Sequence, residues 1–144
     1  MEMTKERLAA YRSMKQEIAE LQHIIDTRWE SEEMLGNDVI FDYCKGYPMP
    51  QSVVGFDQKR YERLQERDLR RIQRLEEECA AIESFISDIS DSLTRRIFQM
   101  YFLEGEKKPS QGQIAQRVHL DRSSVSKKIY GYLQVSHNSQ KSQL

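Results

Sequence analysis

Apolar residues recur every three or four positions along two long stretches of the chain, a spacing typical of amphipathic helices. The first stretch runs from about residue 4 to residue 33, and the second from about residue 57 to residue 90; Thr4 and Asp57 can cap them. The apolar positions are Tyr11, Met14, Ile18, Leu21 and Ile25 in the first stretch, and Ile72, Leu75, Cys79, Ile82, Ile86 and Ile89 in the second. The pattern predicts two helices that pair as a coiled-coil hairpin.

The seam of this hairpin is less regular before Ile72. Tyr61, Leu64 and Leu69 are apolar but out of register, and Asp68 stands where a seam residue is expected. Either the seam is weaker at this level or its partner there is of a different kind.

Residues 34–57, between the two helices, mix aromatic residues with turn residues. Pro48 and Pro50 exclude a continuous helix, whereas Val39, Phe41 and other apolar side chains require burial. We expect an ordered loop with a short helix at about 37–44. It either packs across the hairpin tip, which we favour, or forms a docking patch for a peptide or a polymerase.

The segment from Ser110 to Leu133 has the layout of a helix-turn-helix. Ser110 and Gln113 form a capping-box pattern at the start of its first helix, and Asp121 can cap its second. The positions expected to be buried are Ile114, Ala115 and Val118 in the first helix, and Val125, Ile129 and Leu133 in the second. His119 lies in the turn, where many such motifs have Gly; His tolerates the left-handed conformation better than β-branched residues do.

A supporting helix is predicted just before this segment. Asp91 can restart a helix whose apolar face contains Leu93, Ile97, Met100 and Tyr101, and Gly105 can end it. Residues 104–109 then form a polar connector. After Gln134 the chain is polar and lacks periodicity, which predicts a frayed tail.

The second helix of the motif leaves cations and short hydrogen-bonding side chains on its outer side, as a helix in the major groove of DNA requires. We expect Arg122 to bind a guanine through two parallel hydrogen bonds. The predicted base contacts are Arg122, Ser123, Ser126 and Lys127. The predicted contacts to the DNA backbone are Lys107, Lys108, Gln111, Gln113, Lys128 and Tyr130.

Charge is distributed unevenly along the chain, whose net charge is −1. Residues 94–144 contain nine Lys or Arg against three acids, whereas residues 1–93 contain thirteen against twenty. The positive excess therefore lies in the segment with the predicted motif, where it would release counterions from DNA. A run of five arginines in the second long helix is open to two interpretations, a second DNA-contacting surface or, favoured by the acids among them, salt bridges. These arginines are Arg63, Arg67, Arg70, Arg71 and Arg74.

The sequence from Leu93 to Leu133 resembles the promoter-contacting helical region of bacterial sigma factors. The matching elements are Tyr101-Phe102, Glu104-Gly105, Ile114-Ala115, Leu120 and Ser124-Val125. The longer layout is similar to small phage and prophage transcriptional regulators of the ArpU and RinA type. This resemblance implies a role in late-gene or packaging-gene expression.

Together these patterns predict an all-α fold. We expect a long antiparallel helical hairpin over residues 1–90, a three-helix sigma-like helix-turn-helix over residues 91–135, and a flexible tail over residues 136–144. The predicted function is sequence-specific regulation of transcription, with double-stranded DNA as partner and the hairpin joining two copies of the chain. The alternatives are a small terminase-like DNA-packaging subunit, and a scaffold that binds RNA polymerase without touching DNA.

No pattern of catalytic or metal-binding residues is present in the sequence, so we predict neither an enzyme nor a cofactor or metal site. Cys44 and Cys79 are isolated thiols, for which we expect a reduced, structural role. The chain has no apolar run of about 18 residues, and its first residues lack the apolar centre of a signal peptide. We expect a cytoplasmic protein.

Overall fold

A computed structural model of the chain describes residues 2–30 and 57–142. These residues form helices and no strand, so the predicted all-α class is confirmed for them. The elements are α1 (Lys5–Ala9), α2 (Tyr11–Thr27), a 3-10 turn (Arg28–Glu30), α3 (Gln58–Ser87), α4 (Ser92–Phe98), a π-helix (Gln99–Leu103), α5 (Gln111–Val118) and α6 (Arg122–Ser142). Cys44 and the loop predicted at 34–57 lie outside the described residues, apart from Asp57.

The chain divides into two compact units, the first formed by Met1–Gln16 and Glu76–Leu144, the second by Glu17–Leu75. None of the helices in the described ranges has a segment that is both long and apolar enough to cross a bilayer.

In the second unit, α3 begins where the sequence predicted. The carboxylate of Asp57 accepts a hydrogen bond of 3.0 Å from the backbone N–H of Arg60, and Leu21 and Ile72 are buried. Asp68 occupies its predicted seam position, where it is buried and forms an ion pair with Arg28. The partner of Asp68 is therefore a charged side chain.

In the first unit, the predicted caps are confirmed. The Thr4 hydroxyl accepts a hydrogen bond from the backbone of Arg7 at 3.1 Å, and the Asp91 carboxylate accepts one from the backbone of Thr94 at 3.0 Å. The first helix is nevertheless divided at Ala10, and the second ends at Ser87.

The core of the first unit collects apolar residues from both ends of the chain. Its fully buried side chains are Leu8, Ile82, Ile86, Ile89, Ile97, Phe98, Phe102, Ile114, Val125 and Ile129. The ring of Phe98 packs at 5.5 Å, between centroids, against both Phe102 and Tyr132. Cys79 is also buried, and this burial raises the pKa of its thiol. It behaves as a core residue, as its place in the seam predicted.

Two helix ends differ from the predictions. The supporting helix continues as a π-helix, whose wider turn brings Met100, Tyr101 and Phe102 into the core in succession. Helix α6 extends to Ser142, so the predicted tail at 136–144 is helical as far as that residue. The chain has neither Gly nor Pro between Leu133 and Ser142, and therefore nothing there ends the helix.

Candidate nucleic-acid interface

Helices α5 and α6 are joined by a tight turn whose features follow from the sequence. Both hydrogen bonds of the capping box are present, at 3.1 Å from the Gln113 backbone to the Ser110 hydroxyl and at 3.0 Å in return. His119 ends α5 in the left-handed conformation, with φ 58° and ψ 44°. The backbone N–H of Leu120 donates to the carbonyl of Ala115 at 2.9 Å, which closes the turn.

Helix α6 has one buried side and one exposed side. Val125, Ile129 and Leu133 are buried, as their spacing of four residues predicted. Arg122, Ser123, Lys127 and Tyr130 are exposed, while Ser126 is half-buried. The inner side is therefore committed to the core, and the outer side is available at the surface of this unit.

The four predicted base contacts are neighbours in the first two turns of α6. Because side chains four residues apart are neighbours on a helix, Arg122, Ser126 and Tyr130 form one row. Ser123 and Lys127 form the adjacent row. We call these five residues the α6 face. Tyr130, predicted as a backbone contact, thus lies beside the predicted base contacts.

Lys128 lies on a different side of the helix from the α6 face and is half-buried. It lies close enough to Asp91 to affect that carboxylate. The hydrogen bonds from Thr94 are the main cause of the lowered pKa of Asp91, and the charge of Lys128 lowers it further.

Two of the predicted backbone contacts are positioned by Tyr101. The ammonium of Lys108 lies 4.5 Å from the centroid of the Tyr101 ring, and both Lys108 and Gln111 hydrogen-bond the phenol. Burial would raise the pKa of Tyr101, but these hydrogen bonds outweigh it and lower the value. Lys107 is exposed, and the side-chain oxygen of Gln113 is engaged in the capping box.

Lys5 joins this surface although the sequence analysis did not identify it. Its ammonium lies 4.6 Å from the centroid of the Tyr130 ring and donates a hydrogen bond to the Tyr130 hydroxyl. This hydrogen bond is the main cause of the raised pKa of Lys5. No local pattern could reveal the contact, because 125 residues separate the two side chains.

The connector before α5 is held by Arg12, another residue that the sequence analysis missed. Its guanidinium donates to the carbonyls of Tyr101 and Glu104, each at 2.7 Å, and of Met100 at 3.1 Å. It also donates to Gly105, which has a positive φ of 74°, at 3.2 Å. Arg12 thereby satisfies the carbonyls at the end of the π-helix and positions the connector that carries Lys107 and Lys108.

The described residues contain no group of three or more His, Cys, Asp or Glu that could hold a metal ion. What the surface offers is cations and hydroxyl groups on a rigid helix, which suits recognition of an anionic partner. No protein-family model, curated protein or solved structure matches this chain.

Proposed function

We propose that this protein is a sequence-specific, DNA-binding transcriptional regulator of the phage or prophage type. In this proposal α5 and α6 act as a sigma-like helix-turn-helix, and α6 enters the major groove. The observation that carries it is the α6 face, where the neighbouring Arg122, Ser123, Ser126, Lys127 and Tyr130 are exposed or half-buried while Val125, Ile129 and Leu133 are buried in the core.

The chemistry of the α6 face suits reading of base edges. The guanidinium of Arg122, at the first position of α6, matches the two acceptors of a guanine. Ser123 and Ser126 both donate and accept hydrogen bonds, and Lys127 donates to acceptors of the same groove. All four lie in the first two turns of α6, the part of a recognition helix that contacts bases.

The remaining cations and polar groups would position the helix on the phosphates. Lys107 and Lys108 are on the connector, Gln111 and Gln113 are at the start of α5, and Lys128 and Tyr130 are on α6. Lys5 adds a further cation beside Tyr130. Contacts of this kind fix the register of the protein on the duplex, and they supply affinity that depends on salt.

The long helices would serve assembly. We propose that α2 and α3 pair as a hairpin that joins two copies of the chain. Two copies would place two recognition helices on adjacent half-sites of one operator. A ring-sized assembly in solution would instead favour the packaging function.

The test is selection of binding sites from a pool of random duplexes. We expect one enriched motif for the wild-type protein, with affinity that falls steeply as salt is raised. Arg122→Ala should lose about 1–3 kcal/mol at that motif and relax the preference at one base pair. Arg96→Ala is the charge-matched control, an exposed arginine on α4, and should keep the preference at every position.

The proposal fails if the wild-type protein enriches no motif. It also fails if Arg122→Ala and Arg96→Ala have the same preferences. Binding to RNA polymerase by a protein that binds no duplex would support the scaffold function instead.

A further inference from the structure

Four arginines on α3 form a single row in the second unit. Arg63, Arg67, Arg70 and Arg74 are spaced by four, three and four residues, so they lie along one side of the helix. At a rise of 1.5 Å per residue the row is about 16 Å long. Together with Glu66 these side chains line one shallow groove. We call the four residues the arginine row.

Salt bridges leave much of this positive charge uncompensated. Arg70 pairs with Glu66, and both side chains are about two-thirds exposed. Arg67 contacts Asp68 at 3.0 Å, but that carboxylate is already neutralised by the buried Arg28.

The other two members, Arg63 and Arg74, are exposed. Arg63 and Arg74 form no ion pair with any residue in the ranges 2–30 and 57–142. Within the part of the chain that the structure describes, Glu66 is thus the one carboxylate that offsets the row, and it leaves three of the four positive charges in excess. The sequence favours salt bridges for this run, and among the described residues such pairs form at Arg67 and Arg70 but not at the other three arginines.

We propose that the arginine row is a second DNA-binding surface, which contacts the phosphate backbone of duplex DNA without reading its sequence. Guanidinium groups bind phosphate through paired, charge-assisted hydrogen bonds. Duplex DNA carries one negative charge per about 1.7 Å of its axis, so a row of this length faces several phosphates. The partner, duplex DNA, rests on the proposed function; the row itself belongs to a different unit from the α6 face and is tested separately.

The sharpest test compares two double variants that lose the same charge. Arg63→Gln/Arg74→Gln removes both ends of the row. Lys15→Gln/Arg96→Gln is the charge-matched control: both residues are exposed, lie in the first unit, and contribute the same change of charge. The probe is a random-sequence duplex of about 30 base pairs, with affinity measured by fluorescence anisotropy from about 50 to 200 mM salt.

We expect the row variant to bind at least about tenfold more weakly at about 100 mM salt, with a salt slope shallower by about 0.9 for each lost phosphate contact. The control should stay within about twofold of the wild-type protein, because its two side chains contact no phosphate in this proposal. The single variants Arg63→Gln and Arg96→Gln repeat the comparison with less effect on folding.

Equal binding by the two double variants would overturn the proposal, since only net charge would then matter. A further outcome is that the row variant loses binding to polyglutamate and to DNA to the same extent. That result would favour a site for acidic proteins as much as a phosphate site, and it would also overturn the proposal. Failure of the row would leave the motif preference of the wild-type protein intact, whereas failure of the proposed function would abolish that preference.

Discussion

The guanidinium of Arg28 and the carboxylate of Asp68 form a buried ion pair in the second unit, with side-chain exposures of 6% and 2%. Gln65 binds the same guanidinium at 2.7 Å and the backbone carbonyl of Ile25 at 3.1 Å. The pair lies where an apolar seam would otherwise continue. It is tolerated because each charge satisfies the other and further hydrogen bonds complete the set.

Removing one member of this pair should cost more than removing both. Asp68→Leu leaves the charge of Arg28 buried and uncompensated, which should lower the free energy of unfolding by about 3–5 kcal/mol. The double variant Arg28→Met/Asp68→Leu should recover most of that loss, because two apolar side chains then fill the seam. Urea unfolding of Asp68→Leu, Arg28→Met and the double variant measures this, and additive losses would contradict it.

The same pair predicts a dependence of stability on acid. Burial would raise the pKa of Asp68, but hydrogen bonds from Arg28 and Arg67 outweigh it, so the pKa lies below its ordinary value of 3.8. A carboxyl group with a lowered pKa stabilises the fold at pH above its unfolded value, and this stabilisation is lost as the pH falls through the folded value.

The free energy of unfolding should therefore fall below a pH of about 3.8 in the wild-type protein, and fall less in Asp68→Asn. The difference between the two proteins isolates Asp68 from the other carboxylates. Parallel curves for the two proteins would refute the assignment.

Arg12 should stabilise the fold through the carbonyls that it binds at the end of the π-helix. Arg12→Ala leaves those of Tyr101, Glu104 and Met100 without their charged donor, at a cost of about 1.5–3 kcal/mol in the free energy of unfolding. Arg96→Ala, which alters an exposed arginine of α4, should change it by less than about 0.5 kcal/mol. Chemical unfolding compares the two, and equal small effects would show that the Arg12 contacts contribute nothing.

His119 has the left-handed conformation, so two substitutions at this position should have opposite effects on the free energy of unfolding. His119→Gly removes the steric cost of a φ of 58° and should raise the free energy of unfolding by up to about 1 kcal/mol. His119→Val puts a β-branched residue in that conformation and should lower it by about 1–2 kcal/mol. Thermal unfolding is sufficient to rank the three proteins, and the reverse order would show that strain at this turn is unimportant.

The predictions from sequence succeeded where the cause is local. The capping box of Ser110 and Gln113, the cap at Asp91 and the conformation of His119 each depend on a few neighbouring residues, and the structure has all of them. The buried side of α6 followed from spacing for the same reason.

The contacts that escaped prediction depend on which elements meet. Nothing around Lys5 or Arg12 indicates that they bind Tyr130 and the end of the π-helix, because those partners lie 125 and about 90 residues away. The buried partner of Asp68 was also unknown, although the interrupted seam marked the position. The π-helix has no local signature of its own, since its sequence satisfies an ordinary amphipathic helix.

The central claim is that the α6 face contacts DNA, and photochemical cross-linking tests it most directly. Azidophenylalanine replaces Tyr130, which is 47% exposed, and in a control protein it replaces Tyr132. The Tyr132 ring lies two residues along the same helix and packs edge-on against Phe85 at 5.8 Å and Phe98 at 5.5 Å. Irradiation with a duplex that carries the selected motif should give a DNA adduct at position 130 and little at position 132. A protein that still binds this duplex but gives no adduct at position 130, or equal adducts at both positions, would contradict the account.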